Sequence, residues 1–327
     1  MPTQKLKTIT GNTLMDLDLP PLKFIVQGFL PQGFHILAGA PKAGKSWLLL
    51  LLCLQVAKGE PFWERKTMQG DVLYLCLEDS ENRIQQRLSD ITDDTPPNLH
   101  FAVTANSLSE GMITQIEMFL TDHPATNLIV IDTLQCIRES SDSNMYASDY
   151  RDIGALKAIA DKHNIAVIGV QHLRKQHDND PHQMVSGSTG LLGAADGSYI
   201  LKKEKPVDTN AKLYIRGRDI SESIFSLQFD SVTREWQFLG SDTPQAEDMK
   251  SDNIMTTLIA YLQKEESFEG TATELSQRLG GICKSNVLSR KLTQYENELN
   301  EIGIEFVKTR TGSERTLTLL YTPPMTI

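Results

Sequence analysis

The sequence predicts an α/β fold on a mainly parallel central sheet, followed by a small second domain of helices and a hairpin. Three observations carry this. Short β-branched and apolar runs alternate with helical-period segments from residue 34 to about residue 230. A glycine-rich turn, "GAPKAGKS" at 39–46, links the first such run to a long apolar helix candidate. Beyond the polar stretch 240–252 the order becomes three helix candidates and then two strands.

The strand candidates are "FHILAGA", "DVLYLCLE", "LHFAV", "LIVIDTL" and "IAVIGVQH", with helix candidates near 44–58, 80–91, 109–122 and 147–163. Strands apolar on both faces and joined by helices make a parallel sheet covered on both sides. After His172, "SYILKK", "AKLYIRGRD", "SIFSLQFD" and "EWQFLG" alternate and have tight polar joins, so they are expected as antiparallel strands extending the sheet. The expected divisions are an N-terminal segment packed on the core (1–30), the core domain (31–240), a linker (241–252) and a small domain (253–327).

In the small domain, "IMTTLIAYLQKE" and "TATELSQRLG" read as helices, the second capped by Thr273 and closed by Gly280. A third, "KSNVLSRKLTQYENELNEIG", takes Ser285 as its cap, and "IEFVKTR" and "RTLTLLYT" flank the turn "TGSE". Three helices followed by a hairpin wing is a winged-helix pattern.

Composition narrows the class. With 40% apolar and 23% charged residues the chain reads as a soluble protein. "WLLLLLCLQVA" is too short to span a bilayer, and the polar opening "MPTQKLKTITGNTLMDLDLPP" lacks a secretory h-region, so a cytoplasmic protein without membrane partners is expected. A net charge of −10 argues against nonspecific coating of nucleic acid over the whole surface, yet permits a local basic groove. Cys53, Cys76, Cys136 and Cys283 lie in apolar segments without metal-ligand spacing and are expected as buried packing thiols, with neither zinc nor disulfide.

"GAPKAGKS" fits G-x-x-x-x-G-K-[ST] between a strand and a helix, the context in which backbone N–H groups and a helix dipole cradle phosphate. Gly39, Ala40, Pro41, Lys42, Ala43, Gly44, Lys45, Ser46 and Trp47 are therefore the expected ATP contacts. Lys45 is placed on the β and γ phosphates and Ser46 on Mg2+. Asp132 ends "LIVID", where a carboxylate at the tip of a neighbouring strand holds the second side of the Mg2+ shell. Glu78, ending "DVLYLCLE", is placed to orient or deprotonate the attacking water; Asp79 is either an alternative acid or a helix cap.

Taken in order, "GAPKAGKS", "LYLCLED", "LIVIDTL", "IGVQH", "GSTGLLGAADGSYIL" and "LYIRGRD" resemble the RecA-like ATPases, most closely the RepA-type hexameric helicases of plasmids and other mobile elements. The resemblance spans about residues 20–240 and leaves out the small domain. It implies that Glu78 is the catalytic base, that His172 senses the γ phosphate, and that Arg216 and Arg218 are fingers reaching the ATP site of the next subunit in a ring. Surface salt bridges to Asp219 or Glu222 are the competing role for those arginines.

Two polar segments, 138–150 and 174–188, leave the sheet edge where ligand loops lie and match the single-stranded DNA loops of RecA-like rings. Arg138, Arg174 and Lys175 are their basic residues. In the small domain, Lys284, Asn286, Arg290 and Lys291 on the third helix, with Lys308, Arg310 and Arg315 around the wing, are candidate nucleic-acid contacts. Two functions compete: a ring-forming DNA helicase or translocase in replication, and an ATP-switched initiator, helicase loader or regulator that does not unwind.

Overall fold

The computed structural model describes residues 8–17, 22–138, 145–174, 178, 180–187, 189–205, 207–242, 249, 252–311 and 314–323. The chain divides into two compact units, Pro21–Thr243 and Met1–Pro20 with Pro244–Ile327. Helix α1 (Gly11–Asp16) lies in the second of these. Residues 24–31, at the end of the segment expected to pack on the core, form a ribbon of β1 (Phe24–Val26) and β2 (Leu30–Pro31) whose Ile25, Val26, Phe29 and Leu30 are core residues of the larger unit.

The larger unit continues as β3 (Gly33–Gly39), α2 (Lys45–Lys58), β4 (Asp71–Cys76), α3 (Glu81–Ile91), β5 (Leu99–Ala102), α4 (Met112–Asp122), β6 (Thr126–Asp132), α5 (Met145–His163) and β7 (Ala166–His172). There follow α6 (Thr189–Ala194), β8 (Gly197–Lys202), β9 (Asn210–Gly217), β10 (Ser223–Phe229) and β11 (Trp236–Ser241). Among the described residues they form one nine-stranded sheet in the order β11-β10-β9-β8-β3-β7-β6-β4-β5. From β8 to β5 every pairing is parallel, and from β8 to β11 every pairing is antiparallel.

One expectation is corrected here. The strand "SYILKK" is β8, which lies parallel to β3 and not antiparallel, because α6 intervenes as a crossover and returns the chain to the same sheet edge. Within the nine-stranded sheet the chain reverses by hairpins only from β9 onward.

Burial explains the layering. The central β3 and β6 are buried along their whole length, as strands covered on both faces must be. Helix α2 packs with β1, β2 and the inner face of β9 to β11 in one apolar cluster; α4, α5 and α6 pack in another on the opposite face. All the parallel strands therefore end at one edge of the sheet. Ligands of open α/β folds bind there.

The smaller unit contains α7 (Asn253–Glu265), β12 (Ser267–Thr271), α8 (Ala272–Arg278), α9 (Ser285–Gln294), α10 (Glu296–Glu301), β13 (Ile304–Thr311) and β14 (Glu314–Tyr321). Its sheet order is β12-β14-β13, and Leu258, Leu262, Leu275, Leu288, Leu292 and Leu319 centre its core. Three local expectations change. Thr271, not Thr273, caps α8, and its reciprocal bonds with Glu274 form a capping box. Lys284, not Ser285, occupies the N-cap of α9. The long third helix breaks at Tyr295, whose backbone serves as C-cap of α9 and N-cap of α10.

Candidate active site

The glycine-rich loop runs from the end of β3 into α2. Its geometry depends on residues that accept left-handed backbone: Lys42 has φ 62° and Gly44, the N-cap of α2, φ 98°. Gly44 is also hemmed in. A Cβ there would lie 2.9 Å from Cζ2 of Trp236 on β11, and the Trp236 indole donates to the Gly44 carbonyl at 3.0 Å. Gly39 is confined likewise, since its Cβ would come 2.9 Å from the Leu201 carbonyl.

Behind the loop, Lys45 is buried and donates from Nζ to the carbonyls of Gly39 at 2.9 Å and Ala40 at 3.2 Å. Burial pulls its ammonium below the ordinary lysine range, against the opposing pull of Asp132 and Glu78. Ser46 Oγ donates to Asp132 Oδ2 at 2.9 Å, and the Tyr74 hydroxyl donates to the same oxygen at 3.1 Å. Burial raises the Asp132 carboxyl, while Ser46, Tyr74 and Lys45 oppose the rise. A buried carboxylate beside a serine hydroxyl is the oxygen donor pair that a hard divalent cation such as Mg2+ uses.

Past the end of β4, Glu78 Oε1 accepts from Thr133 Oγ1 at 2.9 Å. Asp79 is occupied differently: Arg83 bonds one carboxylate oxygen at 2.8 Å and Arg87 bonds the other. His172 ends β7, and its Nδ1 is buried without a hydrogen-bond partner. The loop, Glu78, Asp132, Thr133 and His172 line one cleft of about 540 Å3. Trp47, just past Ser46, stands at its mouth with Arg87 and Arg234 at 5.8 and 6.0 Å from its ring.

Other expected residues lie elsewhere. Arg216 pairs with Asp180 at 2.9 Å and Glu222 at 2.7 Å, and Arg218 reaches Asp196 at 3.5 Å. Their end of β9 pairs with the start of β8, which lies beside His35, so both sit toward the opposite edge of the sheet from their own phosphate loop. Arg138 bonds Asp152, and Arg174 bonds the Gly187 carbonyl. Lys175 lies outside the described residues, as do the side chains of Arg310 and Arg315.

Lys284, the N-cap of α9, and Asn286 and Arg290 on the helix are exposed. Lys291 departs from expectation: its ammonium turns inward to the buried Asp252, the N-cap of α7, because a carboxylate there needs a counter-charge. Lys308 bonds the Ser289 carbonyl and Thr293. Cysteines are corrected too: Cys53 and Cys76 are buried, Cys283 is half-buried, and Cys136 is exposed with its Sγ 3.9 Å from Glu78.

Sequence reasoning missed Trp236, Arg83, Arg87 and Thr133. The arginines carried a signal: they lie four and eight residues after Asp79, on one helical face turned toward it. Trp236 carried none, since only the fold brings it to a loop 192 positions earlier.

A strand, phosphate loop and helix with a serine and carboxylate across parallel strand tips define a RecA-like P-loop ATPase. The chain belongs to an AAA domain family (AAA_25), whose model matches residues 2–178. No curated protein matches it. Among solved structures it is similar to a DnaB-like replicative helicase studied with primase, at 15% identity and TM-score 0.54 over 69% of this chain. The match covers 66% of that helicase chain, just under two thirds of its length. A KaiC-like protein from the archaeon Pyrococcus horikoshii OT3 aligns at 12% identity and TM-score 0.48, over 66% of this chain and 94% of its own. Among the described residues no helix is long and apolar enough to cross a membrane.

Proposed function

We propose that the chain is a cytoplasmic, Mg2+-dependent ATPase of the RepA-type helicase group, which assembles as a ring of six copies and moves along or unwinds single-stranded DNA during replication of a mobile element. The observation that carries this reading is the convergence of Lys45, Ser46, Glu78, Asp132 and His172 on one cleft. The fold shared with a DnaB-like replicative helicase supports it.

In this reading the loop N–H groups and Lys45 hold the β and γ phosphates, and Ser46 and Asp132 hold Mg2+. The cation, when bound, draws charge from the phosphate oxygens. Glu78, held by Thr133, orients and deprotonates the attacking water, because Asp79 is neutralised by Arg83 and Arg87. His172, at the end of β7 and in the lining of the cleft, senses the γ phosphate. Arg216 and Arg218 act in a neighbouring copy, so each must leave its acidic partner to serve as a finger. The isolated monomer is then a poor ATPase. The smaller unit is a winged helix that offers Lys284, Asn286 and Arg290 to nucleic acid.

ATP hydrolysis with and without single-stranded DNA, across protein concentration and beside Arg218→Ala and Lys45→Ala, tests this. DNA stimulation with a steep concentration dependence, lost in both variants, supports the motor. Hydrolysis indifferent to every nucleic acid overturns it. The second reading, a nucleotide-switched initiator, loader or regulator, is favoured by the internal pairing of Arg138 and Lys291, which leaves less basic surface for gripping a strand. ATP-driven strand displacement would exclude it.

A further inference from the structure

Near the edge of the sheet remote from the cleft, Asp71, His100 and His123 face one another. Asp71 opens β4, His100 is the second residue of β5, and His123 is the C-cap of α4. The register accounts for their meeting: Leu73 pairs with His100, and Asp71 lies two residues back on the same face of β4. A ligand atom from each of the three lies within 4.8 Å of the others. His100 Nε2 is 3.7 Å from Asp71 Oδ1, too long for a hydrogen bond, and it is a buried nitrogen with no hydrogen-bond partner.

Two further facts bear on what this cluster holds. The His100 and His123 rings are 4.2 Å apart between centroids, and Phe119 packs on both, at 5.3 and 4.4 Å. Each imidazole has a ring nitrogen whose lone pair a metal cation can accept. Bonds of about 2.0–2.1 Å to a tetrahedral metal put ligand atoms about 3.4 Å apart, close to the His100 to Asp71 spacing already present. The apolar Phe119 shell strengthens the electrostatics of such a site.

We propose that Asp71, His100 and His123 bind a divalent late transition metal, of which Zn2+ is the best fit to two imidazoles and one carboxylate. The fourth position is open to water. The metal ties the edge strand β5 and the end of α4 to the start of β4, roughly 20 Å along that strand from Glu78, and so is separate from the Mg2+ donors of the cleft.

The test uses the full chain, free of any histidine tag and stripped with chelator. Co2+ absorption and Zn2+ calorimetry are measured on the wild type, Ser46→Ala, His100→Ala and His123→Ala, and each variant's fold is checked by circular dichroism. One equivalent of Co2+ should bind wild type and Ser46→Ala alike, with affinity at least tenfold weaker in His123→Ala. Zn2+ should raise the melting temperature of wild type and not of His123→Ala. Because His123 is a half-exposed cap, that variant keeps the test valid if His100→Ala fails to fold. Absence of saturable uptake by folded wild type, or uptake unchanged by His123→Ala, overturns the proposal.

Discussion

The indole of Trp236 donates to the carbonyl of Gly44 at 3.0 Å, so a strand at the far antiparallel edge of the sheet fixes the turn that enters α2. The same residue is held in turn: its own carbonyl accepts from the Trp63 indole at 2.6 Å, and the Lys203 ammonium lies 5.4 Å from its ring centroid. Trp236→Phe keeps the ring and removes the donor. Nucleotide affinity should fall about two- to tenfold, for a bond worth about 0.5–1.5 kcal/mol. Trp236→Ala should cost about 3–5 kcal/mol of stability as well. Titration with a fluorescent ATP analogue and denaturant unfolding separate the two effects.

Glu78 and Asp79 differ in their partners, and their variants should differ accordingly. Glu78→Gln should lower ATP turnover by about 10²-fold or more while ATP binding changes little. Asp79→Asn should retain more turnover but lower the melting temperature, since it leaves Arg83 and Arg87 without their carboxylate. If single-turnover assays give the reverse order, the two roles exchange.

Asp132 sets a pH signature. Burial raises its carboxyl above the usual 3.8, so the ionised form costs the fold free energy. That cost is absent below the ordinary carboxylate value and grows as pH rises through the raised one. Asp132→Asn, whose carbonyl still accepts from Ser46 and Tyr74, should therefore melt above wild type at neutral pH, with the gap closing as pH falls toward 3.8. Melting curves in the absence of Mg2+ check this. Mg2+ should narrow the gap by stabilising only the wild type.

Two histidines act in the opposite sense. Burial holds His35 at about 4, and burial together with the Arg216 charge holds His182 at about 4, against 6.5 unfolded. Both contribute stability that is full above 6.5 and lost as pH falls through about 4. The larger unit should weaken across that window by roughly 3 kcal/mol per histidine at most. His35→Gln, which can still donate to the Pro31 carbonyl, should flatten the slope of melting temperature against pH.

In the smaller unit, removal of Lys291 strands a buried carboxylate. Lys291→Ala should destabilise that unit by about 3 kcal/mol. Its effect on nucleic-acid affinity, measured at a temperature where the variant is folded, should be smaller than that of Arg290→Ala. An equal loss would put the Lys291 ammonium on the ligand.

The parallel core was legible because each strand is an unbroken apolar run and each helix lies between two of them. β3, β6 and β7 fall within two residues of their expected bounds. Periodicity could not tell that β8 runs parallel to β3, since "SYILKK" has the same character in either direction and only the crossover through α6 decides. The sequence reading puts the cap of α8 at Thr273, but Glu274 lies three residues after Thr271 and closes the box there. At the site, Lys45, Ser46, Glu78 and Asp132 were legible from motif and strand end. Trp236 and the Asp71, His100 and His123 cluster were not, because tertiary contact alone assembles them.

All three tryptophans lie in the larger unit: Trp47 follows Ser46, Trp236 bonds the Gly44 carbonyl, and Trp63 is linked to the phosphate loop only through its bond to the Trp236 carbonyl. Intrinsic tryptophan emission is therefore a label-free optical reporter of that loop. The smaller unit has only tyrosine fluorescence, through residues such as Tyr261 and Tyr295, so excitation at the red edge of the protein absorption band follows the nucleotide site alone while excitation of tyrosine follows both units.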